Sequence, residues 1–251
     1  MIDFITLTKR ETLRFFTVPN NTIIPALVSS LLYLLIFGLS LGKRIGGGSA
    51  EEYLLFLIPG LVMMNMITGS YSNPSGSIFF SRLIGFINDI LLSSLSYIRI
   101  VMAYVVGGLA RGVTIALGTA LVGLFFAPVT IKHPATFIAY ILLTGITFAC
   151  LGIIIGLWAD KNDQLNLLLN FVITPLIFMG GVFYSVEAIP EALRTFTKYN
   201  PIFYMVNGVR YSMTGIQEGS IALGLVILSV LAITLLAACI ELFKRGWHLR
   251  T

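Results

Sequence analysis

A chain of 251 residues that is 57% hydrophobic and 11% charged carries less than half the charge of a soluble domain, in which about a quarter of residues are charged; a water-soluble protein is excluded. The net charge of +5 reads as anchoring to anionic lipid headgroups, not as nucleic-acid binding. Uncharged intervals at 15–42, 53–81, 112–131, 133–159, 164–186 and 219–240 each supply the roughly 20 residues that cross about 30 Å of hydrocarbon. The expected fold is therefore an all-α membrane protein with six transmembrane helices, over about 20–42, 53–71, 100–127, 135–158, 165–186 and 219–242, in a single domain covering 1–251.

The chain opens on "MIDFITLTKRETLRFF". Its charges are mixed where a signal peptide has a short basic region, and the apolar run that follows is too long for a cleaved segment, so the first span is expected to stay. At 100° per residue Ile2, Ile5, Leu13 and Phe16 share a face, interrupted by Lys9; an N-terminal interfacial helix is expected. "GKRIGGGSAEEY" at 42–53 reads as a glycine-rich turn.

The connector "NPSGSIFFSRLIGFINDILLSSLSYIR", 73–99, is too long for a turn. Leu83, Phe86, Ile87, Ile90, Leu91 and Ser94 fall on one stripe at helical spacing, with Asn88 and Asp89 off it. It reads as an amphipathic helix on the cytoplasmic surface, either with a docking role or as a plain lipid-lying connector. Beyond it, Arg111 interrupts "YVVGGLARGVTIALGTALVGLFF". A third span beginning near Ile100 puts this arginine at mid-membrane, where it needs a partner, a cavity or an interface. A span beginning near Gly112 leaves it snorkelling at the cytoplasmic edge. The Gly-xxx-Gly spacings at 108/112, 38/42 and 152/156 carry little weight in a chain with 24 glycines.

"DKNDQ" at 160–164 is a tight turn. With six spans both termini lie on one side. Cytoplasmic termini put Lys9, Arg10, Arg14, Arg82, Arg99, Lys161, Lys244, Arg245 and Arg250 inside, against Lys43, Arg44, Lys132, Arg194, Lys198 and Arg210 outside, the sense the positive-inside rule favours. The expected location is the plasma (inner) membrane.

Chemistry is largely missing. No Asp or Glu lies within the interior of any expected span, whereas ion-driven transporters hold their coupling ion with a titratable group at membrane depth. His133 and His248 are isolated from other ligand types, and Cys150 and Cys239 sit far apart in apolar runs as small hydrophobes. "GLSLGKR" at 38–44 is one residue short of a phosphate-binding loop and has Arg44 where a hydroxyl is needed. No catalytic residue, metal ligand or cofactor is expected on this chain. An energy source, if there is one, lies elsewhere.

From Ile173 the sequence runs "ITPLIFMGGVFYSVEAIPEALRTFTKYNPIFYMVNGVR". A hydrophobic helix ends in the small pair Gly180-Gly181; an aromatic turn, Pro190 and a short stretch follow, closing with Pro201-Ile202-Phe203-Tyr204 and Arg210. This resembles the signature of the ATP-binding cassette type-2 permease family, and the resemblance covers the whole chain. It implies an exporter's transmembrane subunit for an amphiphile such as a drug, lipid or glycan, assembled as two copies with separate cytoplasmic ATPase subunits that hold ATP and Mg. The resemblance makes 73–99 a cytoplasmic coupling helix, with Arg82, Leu83, Phe86, Asp89 and Ile90 meeting the ATPase. It makes the segment after the fifth span a re-entrant outer hairpin, with Gly180, Gly181, Pro190, Pro201, Tyr204 and Arg210 forming an outer cap. The second reading of that segment is a loop lying on the membrane. Asn65, Asn170, Phe171, Phe178 and Phe183 are the expected substrate-pathway residues, on spans whose equivalents line the seam; the polar ones alternatively bond neighbouring helices. The coupling segment departs from the family in lacking Pro over 93–98. An ATP-independent secondary transporter or channel is the alternative activity.

Overall fold

The computed structural model describes residues 2–40 and 50–248, and every regular element among them is helical. The order is α1 (Ile2–Thr17), the one-turn α2 (Pro19–Thr22), α3 (Ile24–Ser40), α4 (Ala50–Leu83), α5 (Phe86–Leu92), α6 (Tyr97–Leu124), α7 (Pro134–Trp158), α8 (Asn162–Leu168), α9 (Thr174–Met179), α10 (Glu191–Tyr199), α11 (Pro201–Thr214) and α12 (Ile221–Arg245). The turn expected at 42–53 falls mostly outside the described residues. Among the described residues four helices, α4, α6, α7 and α12, are long and apolar enough to cross a membrane, and α3 offers the shorter apolar stretch Ile24–Gly38.

The fold is organised around α4. Its sequence is apolar all round, which marks a helix covered on every side, and residues from Leu54 to Ser81 are buried around its whole circumference. Its 34 residues rise about 51 Å at 1.5 Å each, well beyond the roughly 30 Å of a hydrocarbon core. The expected second span, 53–71, is thus only part of a rod that continues to Leu83 without a break. Pro74 removes one N–H from that rod and so leaves the Ser70 carbonyl without its helical donor. α6 covers that carbonyl at a glycine: a Cβ on Gly108 would lie 2.8 Å from Ser70 O. On the other flank, Gly152 and Gly156 of α7 press against the backbone carbonyls of Tyr71 and Ser75. The glycine spacings at 108/112 and 152/156 are therefore both used for close packing, although residue counts gave them little weight. Gly42 of the third pair lies outside the described residues.

α1 packs along α6 with Leu7, Glu11 and Phe15 buried. These are spaced i, i+4, i+8, one helical face. The stripe noticed in sequence is the opposite one, with Ile5, Leu13 and Phe16 exposed. α1 thus has two apolar faces, one against protein and one open.

The connector differs from the expected single helix. Leu83 ends α4, Gly85 turns the chain at φ +78°, and α5 is a separate seven-residue helix. The break leaves Leu83 66% exposed, whereas Ile87 and Ile90 are buried. α6 begins at Tyr97, so Arg111 lies in mid-helix.

The fifth apolar run is helical from Asn162 to Met179 and stops at the glycine pair, short of the expected 186. Residues Leu169–Ile173 form a π turn ahead of Pro175. Both the backbone N–H and the hydroxyl of Thr174 donate to Leu169 O, which spreads the ladder by one residue. α12 packs mainly on α7, where the Cys239 thiol lies 3.3 Å from Cys150 O. Residues distant in sequence meet here as buried small side chains.

Candidate functional site

At one end of the bundle the signature segment folds on itself. Gly180 N–H closes α9 onto Ile177 O, and Gly181 takes φ +77°, which an L side chain adopts only under strain. Pro190 and Asn200 precede α10 and α11, and Pro201 occupies the first turn of α11, where its missing N–H costs nothing. Asn200 caps that turn by accepting from Ile202 N–H, while its Nδ2 donates to Leu176 O at 2.6 Å, tying α11 to α9. Tyr204 lies edge-on to Phe203.

Arg210 joins these pieces. Positive-inside reasoning treats it as an outer surface charge; the structure buries it completely. Its Nη2 donates to Gly181 O at 2.7 Å, Nε to Phe56 O at 3.3 Å and Nη1 to Glu218 Oε2 at 3.2 Å. The guanidinium lies 3.6 Å over the Phe56 ring. A planar five-donor group is the side chain that can do all of this at once. The glycine turn and the arginine 29 residues later are thus two ends of one constraint. Phe56 and Glu218 complete it, and nothing in their spacing announces that.

α10 turns Leu193, Phe196 and Tyr199 outward, all exposed. Arg194 folds back, with Nε on Ile189 O at 2.8 Å and Nη2 on Glu187 O at 2.5 Å.

The expected pathway residues separate into two groups. Asn65 is buried among α3, α4 and α6, its Nδ2 donating to Ser30 Oγ and Thr119 Oγ1, both at 2.7 Å. Hydrogen bonds between membrane helices contribute on the order of 0.6 kcal/mol each. Asn65→Leu is expected to lower stability by about 1 kcal/mol, read as a small fall in the thermal unfolding midpoint; an unchanged midpoint would show the bonds to be idle. Asn170, Phe171 and Phe178 lie instead on an open face, Phe171 being 76% exposed. Phe178 stacks on Phe183 with ring centroids 5.2 Å apart, and Phe183 leans on Tyr33 and Phe37 of α3. Asn166 and Asn170, one turn apart, are both exposed on the same helix.

At the other end Arg82 is committed to structure. Its Nη1 donates to Gly156 O, Leu157 O and Ala159 O at 3.2, 2.6 and 2.9 Å, capping α7, with Asp160 at 3.7 Å. Leu83, Phe86 and Asp89 face outward, while Ile90 anchors α5 to the bundle. The Arg10 guanidinium lies 4.6 Å over the Phe86 ring, and Ser94 Oγ donates to Asp3 Oδ2 at 3.1 Å. α1 and α5 therefore border one groove of about 260 Å³, lined by Asp3, Leu7, Arg10, Phe86 and Asp89 among others.

A polar cluster between α1 and α6 went unnoticed in sequence. Glu11 is wholly buried and pairs through Oε1 with Arg10 at 2.6 Å, while Arg14 Nη2 donates to Asn73 O at 2.7 Å. Loss of water draws the Arg14 guanidinium below its usual value, against the pull of Glu11. The Leu7, Glu11, Phe15 repeat was the available signal, obscured because its middle member is acidic. Among the described residues no group of His, Cys, Asp and Glu is placed to hold a metal, and His133 stacks on Tyr211.

Residues 2–214 match the model of a family described as ABC-2 type transporter. The chain is 34% identical over 243 residues to the inner membrane transport permease YadH of Escherichia coli (strain K12), covering 96% of this chain and 94% of that one. It is 22% identical over 250 residues to nodulation protein J of Rhizobium leguminosarum bv. viciae, covering 97% and 95%. It is 26% identical over 227 residues to nodulation protein J of Rhizobium meliloti (strain 1021), covering 85% and 82%.

Proposed function

The chain belongs to the ABC-2 type transporter family, and from that premise we propose that it is the transmembrane permease subunit of an ATP-driven exporter of an amphiphilic substrate. In this reading α3, α4, α6, α7, the α8–α9 run and α12 are the six spans of an inner-membrane protein with both termini cytoplasmic. α1 lies on the inner surface, and residues 180–214 form a re-entrant outer hairpin. ATP and Mg act on a separate cytoplasmic subunit.

The observation that carries the reading is the overshoot of α4. Counted from Glu52, an axial rise of about 30 Å is used up near Ser72. The remaining turns of α4, with α5 and the first turns of α6, lie beyond the hydrocarbon, where a soluble subunit reaches them. Phe86 and Asp89 are the exposed contacts offered there. The open face bearing Asn166, Asn170 and Phe171 supports a second copy. Exposed amides at membrane depth are costly against lipid and tolerable against protein or a watered seam. The aromatic group of Phe178 and Phe183 with Tyr33 and Phe37 suits an amphiphile passing that seam.

The test is purification of the tagged chain from its native membrane. The reading expects magnesium-dependent ATP hydrolysis in the isolated assembly and none in the chain alone. With transport reconstituted in vesicles, the pair Phe86→Ala and Asp89→Ala is expected to cut ATP-driven export at least tenfold while the chain stays folded. Export by the isolated chain against a gradient would favour a secondary transporter or channel and end the exporter reading.

A further inference from the structure

We infer that Arg14 and Arg111 form a binding site for a phosphate-bearing anion at the edge of the membrane, occupied by the headgroup of an acidic phospholipid. On α6, Gly107, Arg111 and Gly118 follow one face at i, i+4 and i+11. A Cβ on Gly107 would lie 2.6 Å from Glu11 Cβ of α1, and one on Gly118 would lie 2.8 Å from Leu27 Cδ2 of α3. Arg111 therefore sits between these contacts, beneath the elbow where the chain leaves α1, makes the single turn of α2 and enters α3.

Charge in this elbow does not balance. Arg111 Nε is buried with no hydrogen-bond partner, and Arg14, which follows Glu11 along the facing chain, falls between the same two contacts. Among the described residues no carboxylate pairs with Arg111. The acid at hand, Glu11, has Oε1 taken by Arg10, and its Oε2 is buried without a partner. Arg14 gives one arm to the backbone and side chain of Asn73. Three guanidinium groups thus share one carboxylate. Buried charge is retained where a counter-charge meets it, and the planar fork of a guanidinium matches the oxygens of a phosphate.

Depth selects the source. A Cβ on Gly69 would lie 3.0 Å from Gly112 Cα, so Arg111 is level with a point about 26 Å along α4 from Glu52, and Asn73 with one about 32 Å along. The pair brackets the inner boundary of a hydrocarbon core about 30 Å thick, the level of lipid phosphates. Arg14 and Arg111 both keep partial exposure, and Ile5, Leu13 and Phe16 of α1 turn their side chains outward beside them. The site rests on the proposed orientation only for the leaflet concerned.

Thermal unfolding of the purified chain in detergent tests this without ATP, partner or transport, so its failure is separate from failure of the exporter reading. Phosphatidylglycerol is expected to raise the midpoint by about 3 °C or more over an equal amount of phosphatidylcholine. Arg111→Gln and Arg14→Gln should lose that rise, Arg111→Lys should keep part of it, and Arg245→Gln, at an exposed pair on α12, should keep it whole. In lipid-free detergent Arg111→Gln should be no less stable than the parent, because an uncompensated charge has gone. If Arg111→Gln fails to fold, native mass spectrometry of Arg14→Gln and Arg111→Lys gives the same reading as fewer retained phosphatidylglycerol molecules. An equal rise with inorganic phosphate alone would overturn the lipid assignment. An undiminished phosphatidylglycerol response in both glutamine variants would overturn the site.

Discussion

Arg210→Met is expected to leave almost no folded chain in the membrane. The substitution strands Glu218 without its cation and takes donors from the Phe56 and Gly181 carbonyls. Removing one partner of a buried ion pair costs about 3–5 kcal/mol, a large part of the 5–15 kcal/mol that typically holds a protein folded. Arg210→Lys should rescue little, since a point ammonium cannot lie flat on Phe56 while reaching three acceptors set in different directions. The double change Arg210→Met with Glu218→Gln should recover part of the loss by removing the orphaned carboxylate. Membrane abundance and thermal unfolding in detergent measure both. A single variant within about 1 kcal/mol of the parent would mean that the arginine is not holding the hairpin.

A comparable loss is expected from Gly152→Val on α7. The β-carbon would press into Tyr71 O and meet Pro74 Cγ at 2.9 Å. Tyr71 O and Pro74 belong to a proline-stiffened stretch of α4, so neither can swing aside as a flexible side chain would. Overpacking typically costs about 1–3 kcal/mol and more where the neighbours are rigid. Gly76→Ala supplies the contrast, because among the described residues no atom outside its own stretch of helix lies within 4 Å of the added methyl group. Removing backbone freedom there should be neutral or stabilising by up to about 1 kcal/mol. Equal behaviour of the two variants in thermal unfolding would show that α4 and α7 are not in close contact at Gly152.

Much of this was legible beforehand where one physical signal dominated. Uncharged runs report exclusion from water, and α7, which has proline at its first turn and a polar turn after it, has its ends at 134 and 158 against an expected 135 and 158. Proline and glycine around Gly180 to Pro201 marked a broken segment, and the chain there is divided among the short helices α9, α10 and α11. What escaped reading depended on pairs far apart in the chain. Nothing local distinguishes Arg210, sealed against Phe56, from a solvated arginine. Glu11 looks like an exposed acid until α6 is laid over it. The family resemblance put Arg82 at a docking surface, yet its Nη1 is committed to the end of α7. The stripe from Leu83 to Ser94 was a true periodicity over a false continuity, since one glycine at φ +78° resets the phase.

The unbroken length of α4 has a mechanical consequence. Phe56, near one end, is clasped by the arginine that fixes the glycine turn, and Leu83, at the other, leads through Gly85 into the short helix α5. A single lever thus joins the two ends of the bundle. A tilt imposed at the α5 end would be carried to the glycine turn clasped at the Phe56 end, with the glycine contacts to α6 and α7 as the fulcrum between them.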